Sequence, residues 1–488
     1  MKRSLTLLAL AGLSLFMHAH AERPNIIFFI ADDMLPNHFN CLQEGKDKYL
    51  TPNLDRLARE GTLMLQQHVV SPVCTPSRYN VLTGNFGSRA QNSYFTQNTK
   101  KNGQSIVEFN THILSTDRTL PALLKAAGYT TGMAGKDHVV EVGGLKRFKN
   151  FKGSAQDPAN KAQLKANHDH TRQAMLEIGF DFADSLYHNN PSFLGLHEVA
   201  VQNMDWITDA GVRFLKQPHS DPFFLYFAHM HVHLPHYPPA RFVAESENGV
   251  YGAAVAAIDW AADVLFDELQ SLGLDDNTLV IFTSDNGSRA RDEGGSNAPL
   301  RSTKGTTWEG GQRVPCIMRW PGVIPAGTEC NELALSMDLH PTLAAITGAT
   351  LPSDRTIDGK DIRPLMQAEK DAESPHESFF YYKRNSIEAV RSGQWKLHIR
   401  KDDEEIQQLY NLESDIGETE NLYEQHPEIV ADLQTKIDAC RRELGDDATG
   451  ISGANVRPIG RVENPDTLTH YDPEHPYMIA LYDLKERG

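Results

Sequence analysis

Short, strongly apolar runs that alternate with helical patterns constrain the fold of this chain more than any other feature. Ile26-Ile27-Phe28-Phe29-Ile30, Tyr129–Met133, Pro222-Phe223-Phe224-Leu225-Tyr226-Phe227 and Thr278-Leu279-Val280-Ile281-Phe282-Thr283 each read as a buried strand. Helix signals lie between them. Thr51-Pro52-Asn53 opens a helix through Arg59 that stops at Gly61, Thr119-Leu120-Pro121 opens one closed by Gly128, and Tyr251–Leu272 reads as helix throughout. Strands this apolar, joined by helices, predict an α/β fold with a large, mostly parallel mixed central sheet flanked by helices. The strands end in polar groups: Asp32-Asp33, Gly135-Lys136-Asp137-His138 with Gly135 read as a turn, a histidine cluster after Phe227, and Asp285-Asn286-Gly287. Open α/β sheets bind ligands at the carboxyl ends of their strands, so the site is expected there.

A chain of 488 residues exceeds the size at which one core stops growing. Three segments are expected: a signal peptide over 1–21, a large catalytic domain over 22–370, and a C-terminal subdomain with a tail over 371–488. Lys2 and Arg3 precede the apolar run Leu5–Met17, and Ala19-His20-Ala21 has the small-x-small pattern of a signal-peptidase site. That pattern predicts export to a bacterial periplasm or beyond. No cysteine follows the cleavage site and no later stretch reads as transmembrane, so no membrane attachment is expected after cleavage. Beyond a polar linker at Gln367–Ser378, Ala389-Val390, Trp395–Ile399 and Gln408–Leu412 predict short antiparallel strands, and Pro427–Leu444 an amphipathic helix. The tail from Thr449 is rich in Gly, Pro and polar residues; wrapping the large domain, bordering the pocket and disorder all remain open. Five cysteines are too few for a disulfide scaffold, and the pairing of Cys41, Cys316, Cys330 and Cys440 is not legible. A formal charge of −17 argues against a nucleic-acid partner and requires any anionic substrate to be held by a local cationic pocket.

Cys74-Thr75-Pro76-Ser77-Arg78 puts a thiol and a guanidinium four residues apart at a predicted helix start, with Gly84 as the stop. A nucleophile at a helix N-terminus sits in a positive field suited to an oxyanion or a bound tetrahedral anion. The plainer alternative is a buried structural cysteine. Asp32-Asp33 and Asp285-Asn286 offer four oxygen donors, a set that suits Ca²⁺ or Mg²⁺, although an isolated Asp pair is more often a solvated turn or a cap. On an extended strand His229, His231 and His233 would share one face, which makes zinc a rival reading, with His236 close by. Lys304 lies in a glycine-containing turn that could bring it over an anion.

Taken in order from about Pro24 to about Leu422, these motifs resemble the type I sulfatases, formylglycine enzymes of the alkaline-phosphatase superfamily. The resemblance rests on Cys-x-Pro-Ser-Arg with Leu82-Thr83-Gly84, the two strand-end pairs, Lys136-x-His138, and Lys304-Gly305 followed by Glu309-Gly310-Gly311-x-Arg313-Val314-Pro315. Leu409-Tyr410-Asn411-Leu412 and Glu418…Asn421-Leu422 resemble the family's small C-terminal subdomain. It implies hydrolysis of a sulfate ester, with a sulfated carbohydrate or polysaccharide the expected substrate. It implies that a maturation enzyme oxidises Cys74 to formylglycine (3-oxoalanine), whose hydrate is the nucleophile. One Ca²⁺, or Mg²⁺ in its place, would be held by Asp32, Asp33, Asp285, Asn286 and the modified Cys74. By the same resemblance Lys136 and Lys304 bind sulfate, His138 meets the formylglycine hydroxyl, His233 meets the leaving-group oxygen, and Arg78 completes the set. His236, Arg289 and Arg291 are expected to bind substrate, and Arg89, Lys100, Lys101 and Arg301 lie in neighbouring segments. Two departures stand out: Asp137 replaces the usual tryptophan of Gly-Lys-Trp-His, and Val232 replaces the first proline of Pro-His-x-Pro. A formylglycine-dependent phosphonate monoesterase or phosphodiesterase is the alternative, and a zinc hydrolase built on the histidines a further one.

Overall fold

The computed structural model describes residues 23–34, 36–42, 45, 51–97, 106–190, 195–246, 249–289 and 296–455. The expected signal peptide, Lys100, Lys101, Arg291 and the tail from 456 lie outside the described residues.

Eight strands form the large sheet: β1 (Asn25–Ala31), β2 (Thr62–His68), β3 (Thr130–Asp137), β4 (Phe182–His188), β5 (Phe223–Ala228), β6 (Thr278–Ser284), β7 (Cys316–Arg319) and β8 (Thr328–Leu335). Their spatial order is β4-β3-β5-β1-β6-β7-β2-β8. Pairing is parallel except where β7 runs antiparallel to β6 and β2. Central β1 shows why the apolar runs are nearly unbroken. Ile26, Phe28 and Ile30 enter the core on one face, and Ile27, Phe29 and Ala31 the core on the other. The helices Cys74–Thr83, Leu120–Ala126 and Leu339–Thr347 cover the first face, and Asn203–Leu215 and Gly249–Ser271 the second. Gly249–Ser271 is long and apolar enough to cross a bilayer by composition, yet Ala254, Ile258, Ala261 and Leu265 are fully buried in the core.

Two local readings need correction. The run at Tyr129 does not end in a turn at Gly135; β3 continues through Asp137 with a register shift between Ala134 and Gly135. Gly135 has φ +99°, and a Cβ there would lie 1.9 Å from the Ala228 carbonyl oxygen, so only glycine allows the strands to close. Such a bulge re-aims the residues that follow it, here Lys136 and Asp137. The histidine cluster is not a strand row either. β5 stops at Ala228, and the chain turns through the residues that follow. His229 and His231 are buried with ring centroids 6.1 Å apart, while His236 Nε2 meets the Val232 carbonyl at 2.9 Å and its ring packs on Tyr251.

The C-terminal strands β9 (Phe379–Lys383), β10 (Ser386–Ser392), β11 (Trp395–Lys401) and β12 (Glu404–Asn411) form a separate antiparallel sheet in the order β12-β11-β10-β9. The Pro427–Leu444 helix buries Leu433, Ile437, Cys440 and Leu444 against it. The five cysteines are all free thiols. The start of the tail touches the large domain, where Arg89 Nη1 donates to the Asn455 carbonyl at 2.6 Å.

Candidate active site

Cys74 begins a wholly buried helix whose preceding residue, Val73, is extended and whose end is set by Gly84 in the left-handed region, φ +69°. The helix aims Cys74 at the end of β1, and its Sγ lies 3.4 Å from Asp32 Oδ1. Lys304 Nζ approaches from the loop after β6, 2.9 Å from Cys74 Sγ and 2.7 Å from Asp33 Oδ1. Lys136 Nζ pairs with Asp32 Oδ2 and donates to Asn190 Oδ1 at 3.0 Å. Arg78, one helical turn beyond Cys74, donates from Nε to Asp285 Oδ2 at 2.9 Å and lies 3.5 Å from Asp32 Oδ2. Three cations thus interleave with three buried carboxylates.

His233 joins this cluster, with Nε2 3.8 Å from Asp33 Oδ2 and Nδ1 2.5 Å from the Leu234 carbonyl oxygen. A neutral ring therefore carries its proton on Nδ1 and turns the lone pair of Nε2 to the site. Among the described residues, Asp32, Asp33, Cys74 and His233 bring potential ligand atoms within 4.8 Å of one another. His233 alone of the four clustered histidines takes part. His138 lies just past β3, stacked on Phe109 at 5.9 Å.

The electrostatics are those of a dry, crowded charge cluster. Burial opposes ionisation of Asp32, but Lys136, His233 and Arg78 hold it well below the usual carboxylate range. Burial pushes Asp33 up to about 7 against the pull of Lys304, with Asp32 and Asp285 adding to the rise. Burial and Asp32 also raise Asp285. Burial with Lys136 drives His138 well down, and burial with Lys304 does the same to His233. Asp33 has a positive φ of 59°, a strained backbone of the kind that gathers at functional sites.

The donor set fits a hard divalent cation. Asp32, Asp33, Asp285 and Asn286 are all buried at two strand ends. Asn286 Nδ2 donates to Asp33 Oδ1 at 2.5 Å, while its Oδ1 is buried with no hydrogen-bond partner among the described residues. A buried amide oxygen without a donor, beside Asp33 and Asp285 carboxyls raised by burial and by neighbouring carboxylates, is what a cation would satisfy.

Several important residues escaped the sequence reading. His188 ends β4 and Asn190 lies just beyond it, another strand end with polar groups. His188 Nδ1 pairs with Asp137 Oδ2 at 2.6 Å, so the unusual Asp137 carboxylate is engaged away from the ligand cluster. Behind Lys304, Glu309 binds Lys396 Nζ at 2.8 Å and His68 Nε2 at 2.9 Å, and its backbone N–H donates to Glu418 at 2.9 Å. Arg301 stacks 3.6 Å over Trp308 and donates to Tyr410 and the Glu418 carbonyl, and Arg89 is paired with Asp358 at 2.6 Å. Both arginines thus serve the fold. Arg289 is half-buried three residues beyond Asn286.

A buried nucleophile position ringed by cations, beside a hard-metal donor set on an α/β sheet, defines a hydrolase of anionic esters. Residues 24–349 match the sulfatase family model, and residues 303–443 match that of the N-sulphoglucosamine sulphohydrolase C-terminal region. The chain is 35% identical over 402 residues to N-acetylgalactosamine-6-sulfatase of Mus musculus, covering 80% of this chain and 75% of that one. It is 32% identical over 448 residues to steryl-sulfatase of Rattus norvegicus, covering 77% and 75%. A structure from work on glycosaminoglycan metabolism by Bacteroides thetaiotaomicron shares the fold, with TM-score 0.67 at 24% identity over 86% of this chain and 99% of that one. The chain belongs to the sulfatase family of the alkaline-phosphatase superfamily, and it is a hydrolase of sulfate esters.

Proposed function

We propose that this protein, exported as its N-terminal pattern suggests, removes sulfate from a sulfated carbohydrate by means of a formylglycine made from Cys74. The observation that carries the reading is Cys74 at a helix N-terminus with Lys304 on its sulfur and Lys136 and Arg78 on the neighbouring carboxylates Asp32 and Asp285. The carbohydrate is supported by the name of the N-acetylgalactosamine-6-sulfatase relative and by the glycosaminoglycan setting of the structural neighbour. A formylglycine hydrate supplies what a thiol lacks, a second hydroxyl whose deprotonation lets the enzyme shed sulfate. Asp32, Asp33, Asp285 and Asn286 would hold Ca²⁺ or Mg²⁺, which supplies Lewis-acid polarisation of a sulfate oxygen.

The chain's own residues divide the remaining work. The ammonium groups of Lys136 and Lys304 bind sulfuryl oxygens and offset the charge that grows on them, in a site where low dielectric strengthens each contact. Arg78 braces Asp285 and Asp32, which keeps both carboxylates aligned. The place of His138 in the Lys-x-His motif assigns it to accept a proton from residue 74, and burial with Lys136 keeps its ring neutral beforehand. His233 can release a proton to the leaving alcohol only once Nε2 is charged, and the incoming anion favours that state.

Intact-mass analysis of the Cys74 peptide, with desulfation assays on sulfated glycans, tests the reading. The expected result is a mass loss at Cys74 matching thiol-to-aldehyde conversion, activity that tracks it, and none in Cys74→Ala. An active enzyme with unmodified Cys74, or Cys74→Ala retaining a tenth of wild-type activity, overturns it.

A further inference from the structure

Asn190 stands between a sulfate-binding lysine and a cavity that the chemistry above does not use. Its Oδ1 accepts from Lys136 Nζ at 3.0 Å. Its Nδ2, on a side chain only 2% exposed, has no hydrogen-bond partner among the described residues. Native interiors rarely strand an amide donor, so one beside a cavity points to an occupant that accepts its hydrogen bond. Asn190 helps line a cavity of about 360 Å³ along the β4 edge of the sheet, between the Pro158–Glu177 and Asn203–Leu215 helices. Small-molecule sites span roughly 300–1,000 Å³.

The lining combines a flat apolar surface with oriented polar groups. Trp206 is braced by Tyr187 edge-on at 5.1 Å and by His168 at 5.7 Å. His188 is fixed in orientation by Asp137 at 2.6 Å. An indole face beside hydrogen-bonding side chains matches a pyranose ring, which has an apolar C–H face and a rim of hydroxyls. A wholly apolar occupant such as a sterol would leave Asn190 Nδ2 unpaired. We propose that this cavity is a subsite for the sugar ring adjoining the sulfated one, with Trp206 as its stacking platform and His188 and Asn190 as its hydroxyl partners. The assignment rests on the carbohydrate-sulfatase reading. It also accounts for Asp137, whose carboxylate orients His188 towards the sugar.

The test compares kcat/KM for a sulfated monosaccharide, for the disaccharide carrying the same sulfated unit, and for nitrophenyl sulfate. The wild-type enzyme is expected to favour the disaccharide over the monosaccharide by about tenfold or more, the scale of a good pocket contact. Trp206→Ala should erase that preference through KM, and Trp206→Phe, which keeps a flat ring, should restore most of it. Gln202→Trp replaces an exposed lining residue, loses no buried contact and narrows the cavity, so it should erase the preference even if Trp206→Ala folds poorly. A wild-type enzyme without the preference, or a preference that survives in Trp206→Ala and Gln202→Trp, overturns the subsite while leaving the carbohydrate reading intact. Turnover of nitrophenyl sulfate with neither saccharide desulfated overturns the carbohydrate reading itself, and the subsite with it.

Discussion

Lys396→Met offers the sharpest test of how the two sheets are joined. Lys396, on β11, is fully buried and donates to Glu309 at 2.8 Å and to Glu418 at 2.9 Å, with its ammonium 3.9 Å over the Tyr381 ring. Burial opposes ionisation of Glu309, but Lys396 and His68 outweigh it and hold the carboxyl well below its usual range. Methionine keeps the stem and removes the charge, which leaves two buried carboxylates facing one vacated point. At a separation of roughly 5 Å and an effective dielectric near 20, their repulsion is about 3 kcal/mol. The alternative, protonating one of them at pH 7, costs about 4 kcal/mol at roughly 1.4 kcal/mol per pH unit above the carboxylate's ordinary value. Either route agrees with the ~3–5 kcal/mol expected when one partner of a buried ionic cluster is removed. Urea unfolding at pH 7, followed by tryptophan fluorescence, reads the loss, since Trp308 stacks on His398 at this interface. Lys396→Met/Glu309→Gln should recover part of it, because one of the facing charges is gone. A loss under about 1 kcal/mol for the single variant, or a double variant no more stable than the single, would refute the reasoning.

Three further outcomes follow from the site and the core. Chelation should abolish turnover and Ca²⁺ or Mg²⁺ restore it, with Asp285→Asn mimicking chelation; elemental analysis showing stoichiometric zinc instead would shift the assignment to histidine-based chemistry. His233→Ala should lower kcat on a sulfated saccharide by roughly 10²–10⁴-fold, with a smaller loss on nitrophenyl sulfate, whose leaving group needs little protonation; equal losses on both would exclude a leaving-group role. Burial pushes His340 down to about 4, against about 6.5 for an unfolded histidine. Its contribution is therefore complete above pH 6.5 and is lost as pH falls towards 4, because the unfolded chain takes up the proton first. The stability of wild type relative to His340→Gln should fall by about 1 kcal/mol between pH 7 and 5.5, and a difference that does not change with pH would contradict this.

What the sequence by itself determined was local and periodic. Five apolar residues in a row from Ile26 could only be a strand buried on both faces, and the strand-end rule then located Asp32, Asp33, Asp285 and Asn286 before any coordinates. The helix from Cys74 to Gly84 was equally legible, because its stop is a glycine whose positive φ depends on nothing distant. Tertiary structure decided the matters that depend on pairing between remote segments. Gly135 reads as a turn until the Ala228 carbonyl beside it makes it a bulge, and His229, His231 and His233 read as one face until β5 stops at Ala228. Asp137 looks like a charge added to the lysine cluster until His188, 51 residues away, takes it up. Lys396 is a polar residue in a short strand until Glu309, 87 residues earlier, makes it the centre of a buried cluster. Backbone preference and hydrophobic period are properties of neighbouring residues, whereas a hydrogen bond between distant ones exists only after the sheet has set their register.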